Sequence, residues 1–408
     1  MSATAVCVDV GSTYTKAAKI DLDGARLVRR AEVPTTSATD VLAGLDAAVE
    51  AVGGGDRLYV CSSAGGGLRL AVIGYEELVT AEAGHRVGLS AGAQVVHVAA
   101  GPMTGPDLTR LRAARPDVIL LVGGTDGGDG DTLLHNARRL AAARSRLPVV
   151  LAGNHSVRGE ALDILHSRGV PVTPTANVLP RIGVLDPLPA RAAIRDVFLR
   201  HVIGGKRLSR GRRFASLVRA ATPDAVLAGV ELLADLTGTG VLVVDVGGAT
   251  TDVYSALVPD AEAETGPRRD VAGTLWRSRT VEGDLGVAAG ADGTRCAAAA
   301  EKLPVVSSGG DRALAAAAAV VAMRRHARGR PGLRDVRLVV GSGGVLRHGG
   351  GTAVLDAVLA DVGGGWAPPE HARAVVDTDY VLAAAGLLAA DHPTVAGCLL
   401  RDRLGYGT

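Results

Sequence analysis

Two stretches of the chain set an aspartate at the end of an apolar run and follow it with glycine and hydroxyls. The first is AVCVDVGSTYTK at 5–16, with Asp9, Gly11, Ser12, Thr13, Thr15 and Lys16. The second is VLVVDVGGATTDV at 241–253, with Asp245, Gly247, Gly248, Thr250, Thr251 and Asp252. Glycine lets backbone N–H groups approach phosphate oxygens, the hydroxyls add donors, and a strand-end carboxylate can orient a divalent cation or its waters. Lys16 stands where it could neutralise phosphate charge or simply face solvent. One such turn is compatible with a plain hairpin; two copies imply related lobes closing on one nucleotide.

A third motif, LVVGSGGVL at 338–346, runs an apolar strand into Gly341, Gly343 and Gly344, with a helix expected near Thr352. A glycine corner of this kind lets a flat base and ribose lie against bare backbone. In the order phosphate, phosphate, adenosine, the three motifs resemble the actin, sugar-kinase and Hsp70 superfamily of ATPases. The resemblance implies an α/β fold of two ribonuclease-H-like lobes with ATP and Mg²⁺ in the cleft. Ala249 departs from it, standing where many members carry a third glycine.

Composition narrows the alternatives. A chain of 408 residues accommodates two or three domains. Aromatic residues make up only 2%, so the core must be packed with Ala, Val and Leu, and little is left for stacking nucleic-acid bases. With 44 basic and 42 acidic residues, no overall field recruits nucleic acid. Cys7, Cys61, Cys296 and Cys398 form no C-x-x-C pair, and the histidines show no metal-binding spacing. The N-terminus enters a strand without a signal-peptide pattern. Apolar runs such as Leu314–Met323 and Tyr380–Ala390 fall short of the ~20 residues a membrane span needs. The expectation is a soluble, cytoplasmic protein, with self-association left open.

The elements that must position these residues follow from periodicity. Strands are expected at 4–10, 15–22 and 25–34, a helix at 38–52, and a strand at 58–61 opening into a glycine run, 62–67, that faces a ligand or merely turns. Strand–helix alternation from 76 to 202, with strands at 95–99, 118–122, 149–152 and 170–173, predicts a parallel sheet. Its sharpest feature is DVILLVGGTDGGDGDTLLHN at 117–136. That strand would carry Gly123–Gly128 to the sheet's C-terminal edge before a helix near Asp131, as a ligand loop or a solvated acidic turn. Four prolines make 170–188 an extended connection. Residues 190–217 read as a basic helix, either a solvated face or a docking surface for an acidic partner. Helices are expected at 225–236, 311–326 (amphipathic) and 379–390, strands at 253–257 and 271–280, and 392–408 carries no signal. The implied layout is a first lobe in 1–75, an additional α/β region in 76–200, a second lobe in 201–378 and a closing helix and tail in 379–408.

At finer grain the chain is similar to the MutL-type accessory proteins of glutamate mutase. The likeness rests on VDVGSTYTK at 8–16, SSAGGGLRLAVIG at 62–74, VTAEAG at 79–84, LLVGGTDGG at 120–128, LHNARRLA at 134–141, VVLAGN at 149–154, TANVLPRIGVLDPLPAR at 175–191, DVGGATTDV at 245–253 and TVEGDLGV at 280–287. It implies a client, an adenosylcobalamin-dependent mutase, and an ATP-dependent reactivating role in exchanging damaged cobalamin. It also implies that Asp9 and Asp245 hold Mg²⁺ through water and carry catalysis. Gly11, Ser12, Thr13, Lys16, Gly247, Gly248, Thr250 and Thr251 would bind phosphates, and Gly341, Gly343 and Gly344 adenosine. Helices 225–236 and 379–390 would be hinges, and Glu282 or Asp284 would approach the cleft. A small-molecule kinase, an iron–sulfur dehydratase activator and an actin-like scaffold are the competing readings.

Overall fold

The computed structural model describes residues 2–64, 68–76, 80–91, 93–203, 208–209, 213–258, 276–303, 310–328, 331–361, 366 and 369–406. The chain opens with β1 (Thr4–Val10), β2 (Tyr14–Asp21) and β3 (Arg26–Pro34), then α1 (Val41–Ala51) and β4 (Arg57–Ser62). Next come β5 (Arg69–Gly74), α2 (Glu82–Ser90), β6 (Gln94–Ala100), α3 (Gly105–Ala113), β7 (Val118–Leu121), α4 (Asp131–Ala142), β8 (Val149–Leu151), α5 (Arg158–His166) and β9 (Val172–Pro174). Helices α6 (Leu188–Val197) and α7 (Arg213–Leu217) lead to β10 (Val218–Ala221) and α8 (Thr222–Thr237). The second half is β11 (Gly240–Val246), β12 (Thr251–Ala256), β13 (Arg277–Glu282), α9 (Ala291–Ala300), α10 (Gly310–Ala327), β14 (Val336–Ser342), α11 (Gly351–Leu359), β15 (Arg373–Val376), α12 (Val381–Leu388) and α13 (Pro393–Leu404).

These strands form three sheets of five. The first has the order β10-β4-β1-β2-β3 and the third β13-β12-β11-β14-β15. In each, the first strand of the lobe has two successive antiparallel hairpin pairings on one side and two parallel pairings on the other. The two sheets share one topology, so the fold is the expected two-lobed, actin-like α/β architecture. The middle sheet, β6-β5-β7-β8-β9, is wholly parallel. Its inner strands β5, β7 and β8 are short apolar runs buried on both faces, as helices on either side require, while the edge strands β6 and β9 are partly exposed.

Several sequence boundaries move. Arg69–Gly74, assigned to the first lobe, is a central strand of the middle sheet, and Val218–Ala221, assigned to the second lobe, is an edge strand of the first sheet. Residues 190–217 are not one helix, and several of the described basic side chains in or beside it are ion-paired. Arg191 pairs with Glu231 (2.7 Å), Arg213 with Asp46 (2.8 Å), Arg219 with Asp391 (2.6 Å), and Arg195 with Asp224. Helix α10 is buried round most of its circumference rather than amphipathic. The tail is a helix, α13, burying Val395, Ala396, Leu399, Leu400 and Leu404. Gly65–Gly67, Val79, Lys206, Arg207, Arg210, Arg212 and the start of the 271–280 strand lie outside the described residues.

Two cores position the cleft. One joins Val6, Val8 and Val10 of β1 to Leu70, Val72, Val118 and Leu120 of the middle sheet, so the first lobe and the middle sheet share a single interior. The other lies between the two lobes, where α8, α12 and α13 fill the space between Cys7, Ala18 and Tyr59 of the first sheet and Val241, Val243 and Tyr254 of the third. Within it α8 and α12 cross backbone against backbone. A Cβ on Gly229 would overlap the Leu382 carbonyl, and one on Gly386 would overlap the Ala225 carbonyl.

Gly386→Ala should therefore lower the unfolding free energy by about 3 kcal/mol, the upper range of overpacking costs. Gly159→Ala, at a helical position with open space, should be neutral or stabilising by up to ~1 kcal/mol. Urea denaturation of both variants checks the contrast.

Candidate functional site

The two aspartate–glycine turns are built alike. Gly11 N–H donates to the Tyr14 carbonyl (3.0 Å) and Gly247 N–H to the Thr250 carbonyl (2.8 Å). A Cβ on Gly11 would stand 2.7 Å from that carbonyl oxygen, so the first turn needs its glycine, and one on Gly247 would be a tight 3.0 Å from its counterpart. The strand register equates the motifs residue by residue, because Asp9 faces Lys16 across β1–β2 as Asp245 faces Asp252 across β11–β12. Ser12, Thr13, Gly248 and Ala249 lie exposed on the turns, available to a ligand. Thr15 and Thr251 are also equivalent, and both are buried. Thr251, expected on phosphate, instead donates to the Leu285 carbonyl (3.1 Å) and so ties its strand to the following loop.

That loop, 282–290, also corrects an expectation. Glu282 and Asp284 do not enter the cleft; both pair with Arg325, at 2.6 and 2.9 Å. What the loop supplies is bracing. Val287 N–H donates to the Gly247 carbonyl, and the N–H groups of Ala288 and Gly290 both donate to the Gly248 carbonyl, which holds the second turn rigid. Asp252 is likewise turned inward, onto the buried Arg279 (2.9 Å).

The adenosine corner sits beside the second turn. Gly343 has φ +104°, and a Cβ there would overlap the Val246 carbonyl, so no other residue fits. Gly341 packs under Leu346 and Leu355, away from a ligand, while Gly344 is exposed with open space around its Cα.

Asp9, Lys16, Thr222, Asp245, Asp377 and Tyr380 converge on one narrow cavity of about 30 Å³ between the lobes. Burial pushes the Asp245 carboxyl up to about 6 against the opposing pull of Lys16, and Asp252, Asp9 and Asp377 add repulsion. Burial works against the Lys16 ammonium too, but Asp9, Tyr380 and Asp245 outweigh it and hold its pKa above the ordinary value. Lys16 is thus the cation between two carboxylates, one from each lobe, and not a solvent-facing side chain.

Sequence reasoning missed four contributors. Thr222, opening α8, donates to Asp9 Oδ1 at 2.5 Å. Asp377 accepts the N–H groups of Val381 (2.9 Å) and Leu382 (3.1 Å) and so caps α12. The Tyr380 ring lies between Lys16, 3.7 Å from its centroid, and Arg347, 3.9 Å on the same measure. Arg347 pairs across the lobes with Glu32 (2.9 Å), beside a second cross-lobe pair, Arg30–Asp379 (3.1 Å). Behind Tyr380 a cavity of about 210 Å³ extends over Cys7, Ala18 and Leu387. Thr222–Pro223 is a legible helix-opening signature; the other three had no local signal.

The donor set fits a Mg²⁺–nucleotide. Among the described residues no group of three or more His, Cys, Asp or Glu side chains could cage a metal. Two carboxylates beside exposed glycine turns suit a cation that keeps its waters and takes phosphate oxygens.

With this geometry in place, comparison with known proteins is informative. The family model described as MutL protein matches residues 5–309 and 306–404. The chain belongs to the MutL protein family. It is 33% identical to Protein MutL of Clostridium tetanomorphum, over 97% of this chain and 98% of that one. Similar solved structures include component A of the Acidaminococcus fermentans (R)-2-hydroxyglutaryl-CoA dehydratase (10% identity, 97% and 99% coverage, TM-score 0.33). Another is the Bifidobacterium adolescentis xylulose kinase (12%, 98% and 93%, TM-score 0.35). At such scores nothing passes from those proteins to this chain. No helix among the described residues is long and apolar enough to cross a membrane.

The raised Asp245 pKa has a stability consequence. Unfolded, this carboxyl ionises near 3.8; folded, near 6. The folded state therefore carries a penalty that is absent below pH 3.8, grows through the interval and is complete above about pH 6. Asp245→Asn should stabilise the ligand-free protein by roughly 2–3 kcal/mol at pH 7.5 and by nothing at pH 3.5, as measured by denaturant unfolding at both values.

Proposed function

We propose that this protein is an ATP-binding, slowly ATP-hydrolysing accessory protein of an adenosylcobalamin-dependent mutase, of the glutamate mutase type, acting in the exchange of damaged cobalamin. The observation that supports nucleotide use is the meeting of Asp9 and Asp245, from duplicated turns on opposite lobes, around the single cation Lys16. The mutase client rests on the family and on the motifs shared along the chain.

Bound Mg²⁺–ATP would supply the scissile phosphoanhydride and the charge that offsets the two carboxylates. Exposed backbone at Ser12, Thr13, Gly248 and Thr250 grips phosphate oxygens, and Gly344 leaves room for the adenosine. Lys16 neutralises charge at the terminal phosphate. Asp9 and Asp245 orient water, and positioning with charge neutralisation does most of the work in such a transfer. Closure of the lobes about α8 and α12 passes the nucleotide state to the first lobe and the middle sheet packed on it. The dehydratase-activator alternative is less well supported, since Cys7 and Cys61 are buried in the core between the lobes and Cys296 and Cys398 sit on separate helices.

Lys16→Met should lower ATP turnover roughly 100-fold, the scale of losing one preorganised charge partner. Asp245→Ala should abolish turnover with the circular dichroism spectrum unchanged. Both are checked with Mg²⁺–ATP, with and without glutamate mutase inactivated by hydroxocobalamin. ATP-dependent recovery of mutase turnover is the expected result; ATP hydrolysis with no recovery would remove this client and keep the ATPase.

A further inference from the structure

Asp9 is the only one of the two central carboxylates held by a side-chain hydroxyl from a hinge helix. Thr222 is the first residue of α8, directly after β10, and its hydroxyl donates to Asp9 Oδ1 at 2.5 Å, within the range of a charge-assisted O–H···O⁻ bond. The Cys61 thiol, from the neighbouring parallel strand, points at the same oxygen at 3.7 Å. Both donors converge on one oxygen, so Oδ1 is engaged by α8 and β4 while Asp9 lines the cleft cavity. Seven residues along α8, Gly229 touches the α12 backbone, so the helix that carries Thr222 is locked to the helix that leads out of the second lobe.

We infer that Thr222 is a positioning residue for Asp9, coupling the lie of α8 to the orientation of the carboxylate oxygen that faces the nucleotide's cation. This rests on the Mg²⁺–ATP reading above and adds a regulatory link to it. Any change in the angle between the first sheet and α8 shifts the hydroxyl relative to Asp9. In the arrangement described the hydroxyl is seated on Asp9, and a changed helix angle would release that carboxylate. Groups that orient a metal-binding carboxylate characteristically change metal affinity or activity by 10- to 100-fold when removed.

The test uses the full chain with Thr222→Val, which keeps the shape and removes the hydroxyl, and Thr222→Ser, which keeps the hydroxyl. Mn²⁺ stands in for Mg²⁺, and its binding to the protein–ATP complex is read from the free-Mn²⁺ electron paramagnetic resonance signal. ATP affinity without metal is measured separately by calorimetry. Thr222→Val should weaken Mn²⁺ binding by about tenfold, leave metal-free ATP affinity within about twofold and lower ATP turnover without raising KM; Thr222→Ser should restore all three. Unchanged Mn²⁺ affinity in the valine variant, or a serine variant as impaired as valine, would overturn the role of Thr222 alone. Failure of the wild type to bind ATP with or without metal would overturn the nucleotide reading and this role together. A valine variant with a lowered melting temperature and equal losses in metal-free and metal-loaded ATP affinity would show a merely structural contribution and overturn the inference.

Discussion

Everything about the cleft depends on two helix backbones touching. Gly229 and Gly386 allow α8 and α12 to cross at a distance at which any Cβ would overlap a carbonyl of the partner helix. Each helix follows the last strand of its lobe's sheet, and each begins at the cleft, with Thr222 bonded to Asp9 and Asp377 capping its own helix. The crossing therefore fixes where both helix starts lie, and through them where two carboxylates from opposite lobes meet. Around the crossing, Val226 and Val230 of α8 and Leu382 and Leu387 of α12 are buried in the same core, which holds the two helices together.

The duplicated lobes are alike in topology and unlike in charge. The same pairing register sets Lys16 opposite Asp9 in one and Asp252 opposite Asp245 in the other. Asp252 is taken up by the buried Arg279, so a single ammonium serves both cleft carboxylates. Asp245 then bears uncompensated charge, and burial raises its pKa accordingly. A narrow space lined, among the described residues, by Asp9, Asp245 and Asp377 with Lys16 as its cation is destabilising until a further cation joins it. That is a physical reason for such a cleft to close on a metal-bound phosphate chain.

The middle sheet is not an appendage. Its β5 and β7 share an interior with β1, and Gln94 at the start of β6 comes beside Gly283 on the second lobe's side. Its glycine loop, 123–130, is held by the buried Asn154 and Asn177: Asn177 donates to the Gly124 carbonyl (3.0 Å), and Asn154 to that of Gly128 (2.8 Å). The acidic character that stood out in the sequence is partly internal, since Asp126 accepts from His155 N–H and from Asn177. A rigid sheet joined to the first lobe moves as that lobe moves.

By itself the sequence determined the family, the two-lobed α/β architecture and the pair Asp9 and Asp245, because strand-end aspartates, obligatory glycines and strand periodicity are local properties. The glycine turns at 11, 247 and 343 were legible for the same reason: each answers to backbone geometry within a few residues. The tail helix was not legible in 392–408; its burial of Val395, Ala396, Leu399, Leu400 and Leu404 came from the tertiary packing. Only the tertiary structure decided which side chains meet. Thr251 and Asp252 face inward, Glu282 and Asp284 go to Arg325, and Thr222, Arg347, Asp377 and Tyr380 all come to the cleft beside Asp9 from at least 213 residues further along the chain. Those outcomes depend on how two sheets and two helices are packed against one another, and no local pattern encodes that.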